Sequence, residues 1–215
     1  MSIDLTTSSP EVTRDREVAI RVACAVAALG ALVPFALCGL DGRSGAAITS
    51  GLAEDATHQQ LGSIVASFVA ALLVPAALRL ARRADGLSGS VIGAAGVAVA
   101  VLYGAFYATF GAGALVAGQM LDEPGAGLGE AAALLLNVTE ITRYAPGLAL
   151  VAAVVAARKV LPRGVWIPAA VLVVMTVFPM TSWAAALLIP VWLGAAAAAL
   201  GPNQPAPGSR QHHTA

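Results

Sequence analysis

Two ionisable residues lie inside an apolar stretch: Glu140 and Arg143, in the run Asn137-Val138-Thr139-Glu140-Ile141-Thr142-Arg143-Tyr144. A charge inside lipid is expensive, so a residue kept there is a candidate for function by default. On a helix, a spacing of three puts both on one face, where an ion pair neutralises each. Arg143 would offer a planar fork of donors to a carboxylate or another anion. Glu140 would offer a proton acceptor. Counted back from Arg158 at 1.5 Å per residue, Arg143 lies about 22 Å from the basic boundary, with Glu140 closer to the opposite one. The same count from Ser88 puts Tyr103 and Tyr107 at comparable depth, on one face with Phe106 and Phe110. The two hydroxyls need partners, and Glu140, Arg143 and Tyr144 are the candidates. Pro146 frees a backbone carbonyl one turn earlier, near Thr142, beside this cluster. A competing reading makes Glu140 and Arg143 a register-fixing pair that snorkels toward the interface. The sequence leaves both open.

A second group precedes the next apolar stretch: Glu54, Asp55, His58, Gln59 and Gln60. If helical, Glu54, Asp55 and His58 share a face at offsets suited to a metal. One histidine with two acids is a thin donor set, and a solvated helix start explains them equally, so no metal or cofactor is expected. His58 is retained as a further contributor to a polar pocket with the residues above. His212 and His213 lie in the tail. The sequon Asn137-Val138-Thr139 falls within an apolar span, which discounts it. No phosphate-binding glycine loop, metalloprotease helix motif or nucleophile elbow occurs, so no catalytic residue is assigned.

The elements that must position these groups follow from composition. The chain has 215 residues, 58% of them hydrophobic and only 11% charged, with formal net charge zero. A soluble domain carries about a quarter charged residues, so an ordinary globular enzyme, a disordered chain and a nucleic-acid binder are excluded. A bilayer core of about 30 Å needs roughly 20 apolar residues in helix. Such stretches run over 18–40, 61–80, 90–117, 131–157, 165–178 and 183–200, the fifth being short. The expected fold is an all-α bundle of six transmembrane helices, with five as the alternative if the hairpin through Pro179-Met180-Thr181-Ser182 is re-entrant. Residues 1–17 form a cytoplasmic segment, 18–200 the membrane domain and 201–215 a flexible cytoplasmic tail. Cys38 closes the run Phe35-Ala36-Leu37-Cys38, but Leu37 stands where a lipobox needs a small residue. The first span therefore reads as a retained anchor.

Sorting the charges by loop gives an orientation. Arg14, Arg16, Arg21, Arg79, Arg82, Arg83, Arg158, Lys159, Arg163 and Arg210 fall on one side, and Arg43 on the other. Asp41, Glu54, Asp55, Asp122, Glu123 and Glu130 accompany Arg43. Both termini are thus expected in the cytoplasm, and the protein in the cell membrane.

Lipid removes the hydrophobic drive between helices, so association depends on small residues that allow close packing. Gly96, Ala100, Gly104, Ala108 and Ala112, four apart, form such a stripe, and its first four positions are a candidate homo-oligomer surface. Trp166 and Trp183 fall near opposite interfaces, and Trp192 is deeper. From the second span onward the layout resembles a group of six-span membrane proteins common in actinobacteria. The matching residues are His58-Gln59-Gln60-Leu61-Gly62, Leu161-Pro162-Arg163 and Pro190-Val191-Trp192. That resemblance implies the fold and the membrane, and no activity. Three functions stand in order: an outward-facing polar pocket that binds or passes a small solute or lipid headgroup, a structural or regulatory partner acting by helix packing, and a membrane-embedded enzyme.

Overall fold

A computed structural model describes residues 10–39, 44–84, 86–119 and 126–201, and every regular element among them is a helix. In chain order these are α1 (Pro10–Gly30), α2 (Val33–Leu37), α3 (Gly45–Glu54), α4 (Ala56–Ala84), α5 (Gly86–Gln119), α6 (Ala126–Ala156), α7 (Arg163–Val177) and α8 (Pro179–Ala199). Five segments are long and apolar enough to cross a membrane: Arg14–Leu37, Ala56–Ala84, Gly86–Gly118, Gly127–Ala156 and Pro179–Ala199. The fifth apolar stretch becomes α7, a shorter helix of 15 residues. At 1.5 Å per residue it is about 22 Å long, less than a hydrocarbon core of about 30 Å. The tail 202–215 and most of the first segment, 1–9, lie outside the described residues.

The first apolar stretch is not one continuous helix. Pro34 has no N–H to give, and its ring clashes with the preceding turn, so α1 ends at Gly30 and α2 restarts at Val33 with the proline in its first turn. Between α4 and α5 the chain reverses tightly at Gly86, whose φ of +56° is left-handed and suits a residue without Cβ. Prolines at 75, 146, 168 and 190 lie inside α4, α6, α7 and α8, which continue through them. This is tolerated where neighbouring helices satisfy the freed backbone groups.

Small residues bring the helices together. A Cβ on Gly194 of α8 would lie 2.7 Å from the Ala28 nitrogen and 2.8 Å from the Cys24 carbonyl of α1, so the backbones cross in direct contact there. The stripe on α5 is spent inside the chain over much of its length. Gly96 packs on Ala77 and Leu150, Gly104 on Ala70, and Ala100 is fully buried. Ala108 and Ala112 are exposed. Trp192 is buried and donates its indole N–H to the Val165 carbonyl at 3.2 Å, which closes the α7–α8 hairpin.

Large apolar side chains also point outward on several helices, among them Leu29, Phe68, Leu134 and Ile141, each 65% exposed or more. In water, apolar surface on this scale would be a liability; against lipid it is the expected exterior. At one end of the bundle, Arg79 near the end of α4 donates to both carboxylate oxygens of Glu17 and to the Leu200 carbonyl. Arg83 donates to the Gly201 carbonyl. The beginning of α1 and the ends of α4 and α8 therefore meet at one place.

Candidate functional site

Tyr103, Phe106, Tyr107 and Phe110 recur at helical spacing on α5 and form one aromatic cluster. Tyr103 and Tyr107 have ring centroids 5.0 Å apart, Phe106 and Tyr107 5.1 Å, and Phe106 and Phe110 5.6 Å, all edge-on. Arg143 of α6 lies over this cluster, with its guanidinium carbon 4.4 Å from the Phe106 centroid. The ring face carries partial negative charge, and a desolvated guanidinium gains from it. Phe106, expected only as a face-mate of the tyrosines, is therefore a direct partner of the arginine.

Arg143 is 9% exposed. Its Nη2 is 3.6 Å from Glu140 Oε1, an ion pair three residues apart on the same helix. Glu140 is one-third exposed and also accepts the Tyr144 hydroxyl at 3.2 Å. Glu140, Arg143 and Tyr144 thus form one local set, as their spacing suggests. The remaining donors of Arg143 are uncommitted. Neither Nε nor Nη1 has a hydrogen-bond partner among the described residues, although both are buried.

The tyrosines divide. Tyr103 does not turn to Glu140, Arg143 or Tyr144; its hydroxyl donates to the Ala31 carbonyl at 2.9 Å. That carbonyl belongs to the interrupted turn before Pro34, so an α5 side chain supplies a bond to the turn that α1 leaves open. The Tyr107 residue is 2% exposed, and its buried hydroxyl has no partner among the described residues. Two groups that could donate, Arg143 and Tyr107, are therefore buried beside one aromatic cluster without enough acceptors. A buried polar group left unmatched costs about 1–3 kcal/mol.

Beside Arg143 is a cavity of about 10 Å³, lined by Tyr103 and Val99 of α5, Gly147 of α6, and Ala186, Ile189 and Pro190 of α8. Pro190 has no N–H, so the Ala186 carbonyl four residues earlier lacks its helical donor. A space of this size has room for about one water. In this conformation it admits a water and excludes a solute.

His58 does not join this group. It lies at the α3–α4 junction, where Asp55 caps α3, and its Nδ1 is 3.9 Å from Asp55 Oδ1. Both are more than half exposed. They line a separate space of about 400 Å³ with Cys38, Gly39 and Gln59. Gln59 is 2% exposed and donates to the Gly39 carbonyl at 2.7 Å. Glu54 stays at the end of α3, and no three metal-ligating side chains gather among the described residues. The chain changes helix at Asp55, between Glu54 at the end of α3 and His58 in the first turn of α4. No protein family, curated protein or solved structure matches this chain.

Proposed function

We propose that the chain is a six-span protein of the cell membrane, with α7 as a short span and both termini cytoplasmic. Its Arg143 cluster recognises the acceptor oxygens of a small solute or a lipid headgroup. The observation that carries the reading is the pair of buried donor groups, Arg143 and Tyr107, unmatched among the described residues, with Glu140 paired to the arginine inside an apolar segment. An anion would satisfy both at once. Because the adjoining cavity holds about one water, binding requires the neighbouring helices to separate there. His58 belongs to a different space and has no part in this site.

The ends that meet at Glu17, Arg79 and Leu200 support the topology, since an even number of spans returns the C-terminus to the side of the N-terminus. The ten-to-one sorting of basic residues supports the orientation. Topology is testable with single cysteines in a chain whose Cys24 and Cys38 are replaced by alanine. An impermeant thiol reagent added outside cells should label Glu54→Cys and Thr181→Cys, and spare Arg158→Cys. Protection of Thr181→Cys from both sides would make the α7–α8 hairpin re-entrant and leave five crossings or fewer.

For the site, the probes are acetate and inorganic phosphate, added to purified protein at matched ionic strength. The thermal midpoint should rise with one of them in the native chain, and fail to rise in Arg143→Gln and in Tyr107→Phe. If neither anion moves the midpoint and Glu140→Gln and Arg143→Gln only lower folding yield, the recognition reading is lost. The small cavity favours a second reading, in which Glu140, Arg143 and Phe106 fix the register of α5 against α6. That reading predicts the second result.

A further inference from the structure

A groove runs along the outside of the α4–α5 hairpin, at the end where Arg79, Arg82 and Arg83 close α4. It has a volume of about 640 Å³, and its lining includes Leu78 and Arg82 on α4 and Gly89, Gly93, Ala94 and Val97 on α5. At its floor α4 and α5 approach closely, because small residues face each other there. A Cβ on Gly89 would come within 2.7 Å of the Ala81 carbonyl oxygen, and one on Gly93 within 3.4 Å of the Ala81 methyl. From Gly86 to Val97 the helix rises about 16 Å, close to the depth of one leaflet, about half of 30 Å.

The two ends of the groove differ in chemistry. Leu78 and Val97 close the inner end, while Arg82 lies at the outer one. Of the three arginines ending α4, Arg79 is committed to Glu17 and Leu200, and Arg83 to Gly201. Arg82 is exposed and makes no hydrogen bond or ion pair among the described residues. The segment 79–86 carries three arginines against Asp85 alone, a net charge of +2.

We propose that this groove holds one acyl chain of an anionic phospholipid, whose phosphate is bound by the Arg82 guanidinium. The argument is complementarity at both ends: an apolar channel one leaflet deep, opening on a cation that has no partner among the described residues, at the depth of the headgroups. The proposal rests on the bundle lying in a bilayer, and is independent of the Arg143 site.

The test uses the full chain, recovered from membranes washed with alkaline carbonate and offered phosphatidylglycerol or phosphatidylcholine with the same acyl chains. Native mass spectrometry counts the lipid retained. Phosphatidylglycerol should be retained about fivefold over phosphatidylcholine, the ratio expected for one basic residue near the surface. Arg82→Gln should bring that ratio to about one without moving the thermal midpoint, and Arg82→Lys should largely keep it. Ala94→Trp, which fills the groove, should lose lipid of both kinds. The proposal is overturned if Arg82→Gln keeps the preference, if Arg158→Gln abolishes it equally, or if Ala94→Trp retains as much lipid as the native chain. Loss of the chain in the carbonate wash would instead overturn the membrane reading itself.

Discussion

Arg79 and Arg143 are both largely buried, and they are used in opposite ways. Arg79 is 12% exposed as a side chain and reaches partners 62 and 121 residues away in sequence, Glu17 and Leu200. Arg143 pairs with a carboxylate three residues away on its own helix, Glu140, at 3.6 Å. Arg79 has both terminal nitrogens engaged, whereas Arg143, among the described residues, leaves Nε and Nη1 unmatched. The first arginine closes the bundle by tying three helix ends together. The second is held by a ring face and a local carboxylate, with donor capacity to spare. Burial alone therefore does not separate a structural arginine from a candidate site; the distance in sequence to its partners and the number of idle donors do.

The comparison can be broken most severely at the tied end. Arg79→Met should remove the join between α1, α4 and α8 and leave the Glu17 carboxylate short of its partner. Losing one member of a largely buried pair costs on the order of 3 kcal/mol. The expected result is a clear fall in the thermal midpoint and a larger fraction of chain lost to aggregation on extraction. A midpoint unchanged from the native chain would place Arg79 among ordinary surface charges. Gly194→Val should follow in size, because its Cβ would meet the Ala28 nitrogen at 2.7 Å and push α8 off α1. Overpacking of this kind costs about 1–3 kcal/mol. A double variant with Arg79→Met should lose less than the sum of the two, since both act on the same α1–α8 contact.

How much of this was legible in sequence depends on how local each cause is. Hydropathy and length are local, so the apolar segments stand close to where composition puts them, and the short fifth stretch is short in the structure. The aromatic face of α5 and the Glu140–Arg143–Tyr144 set rest on spacings of three and four, and contacts of that range survive. A count along a helix gives depth and no azimuth, so it put Tyr103 level with Arg143 without showing that its hydroxyl turns away to Ala31. Pro34 was the available signal for that bond, because a proline there leaves a turn open. Phe106 at the depth of Arg143 was likewise a signal for a cation over a ring. The Arg79 ties had none, since nothing local relates position 79 to 17 or 200. His58 was grouped with the cluster only by being polar and near an outer boundary, and the helix change at Asp55 sets it apart.

The finest test of the comparison is the one with the smallest energy. Tyr103 and Tyr107 lie on the same helix, four residues apart, and are both nearly inaccessible. One hydroxyl has an acceptor and the other has none among the described residues. Tyr103→Phe removes a buried bond to a backbone carbonyl and should cost about 1 kcal/mol. Tyr107→Phe removes a hydroxyl with no partner among the described residues, so the stability of the chain should stay level or rise slightly. Thermal midpoints of the two variants, measured side by side in one detergent, should therefore move in different directions or by different amounts. If Tyr107→Phe costs as much as Tyr103→Phe, its hydroxyl has a partner in the membrane-embedded protein. The donor surplus around Arg143 then shrinks to the arginine alone, and the difference between the two arginines narrows with it.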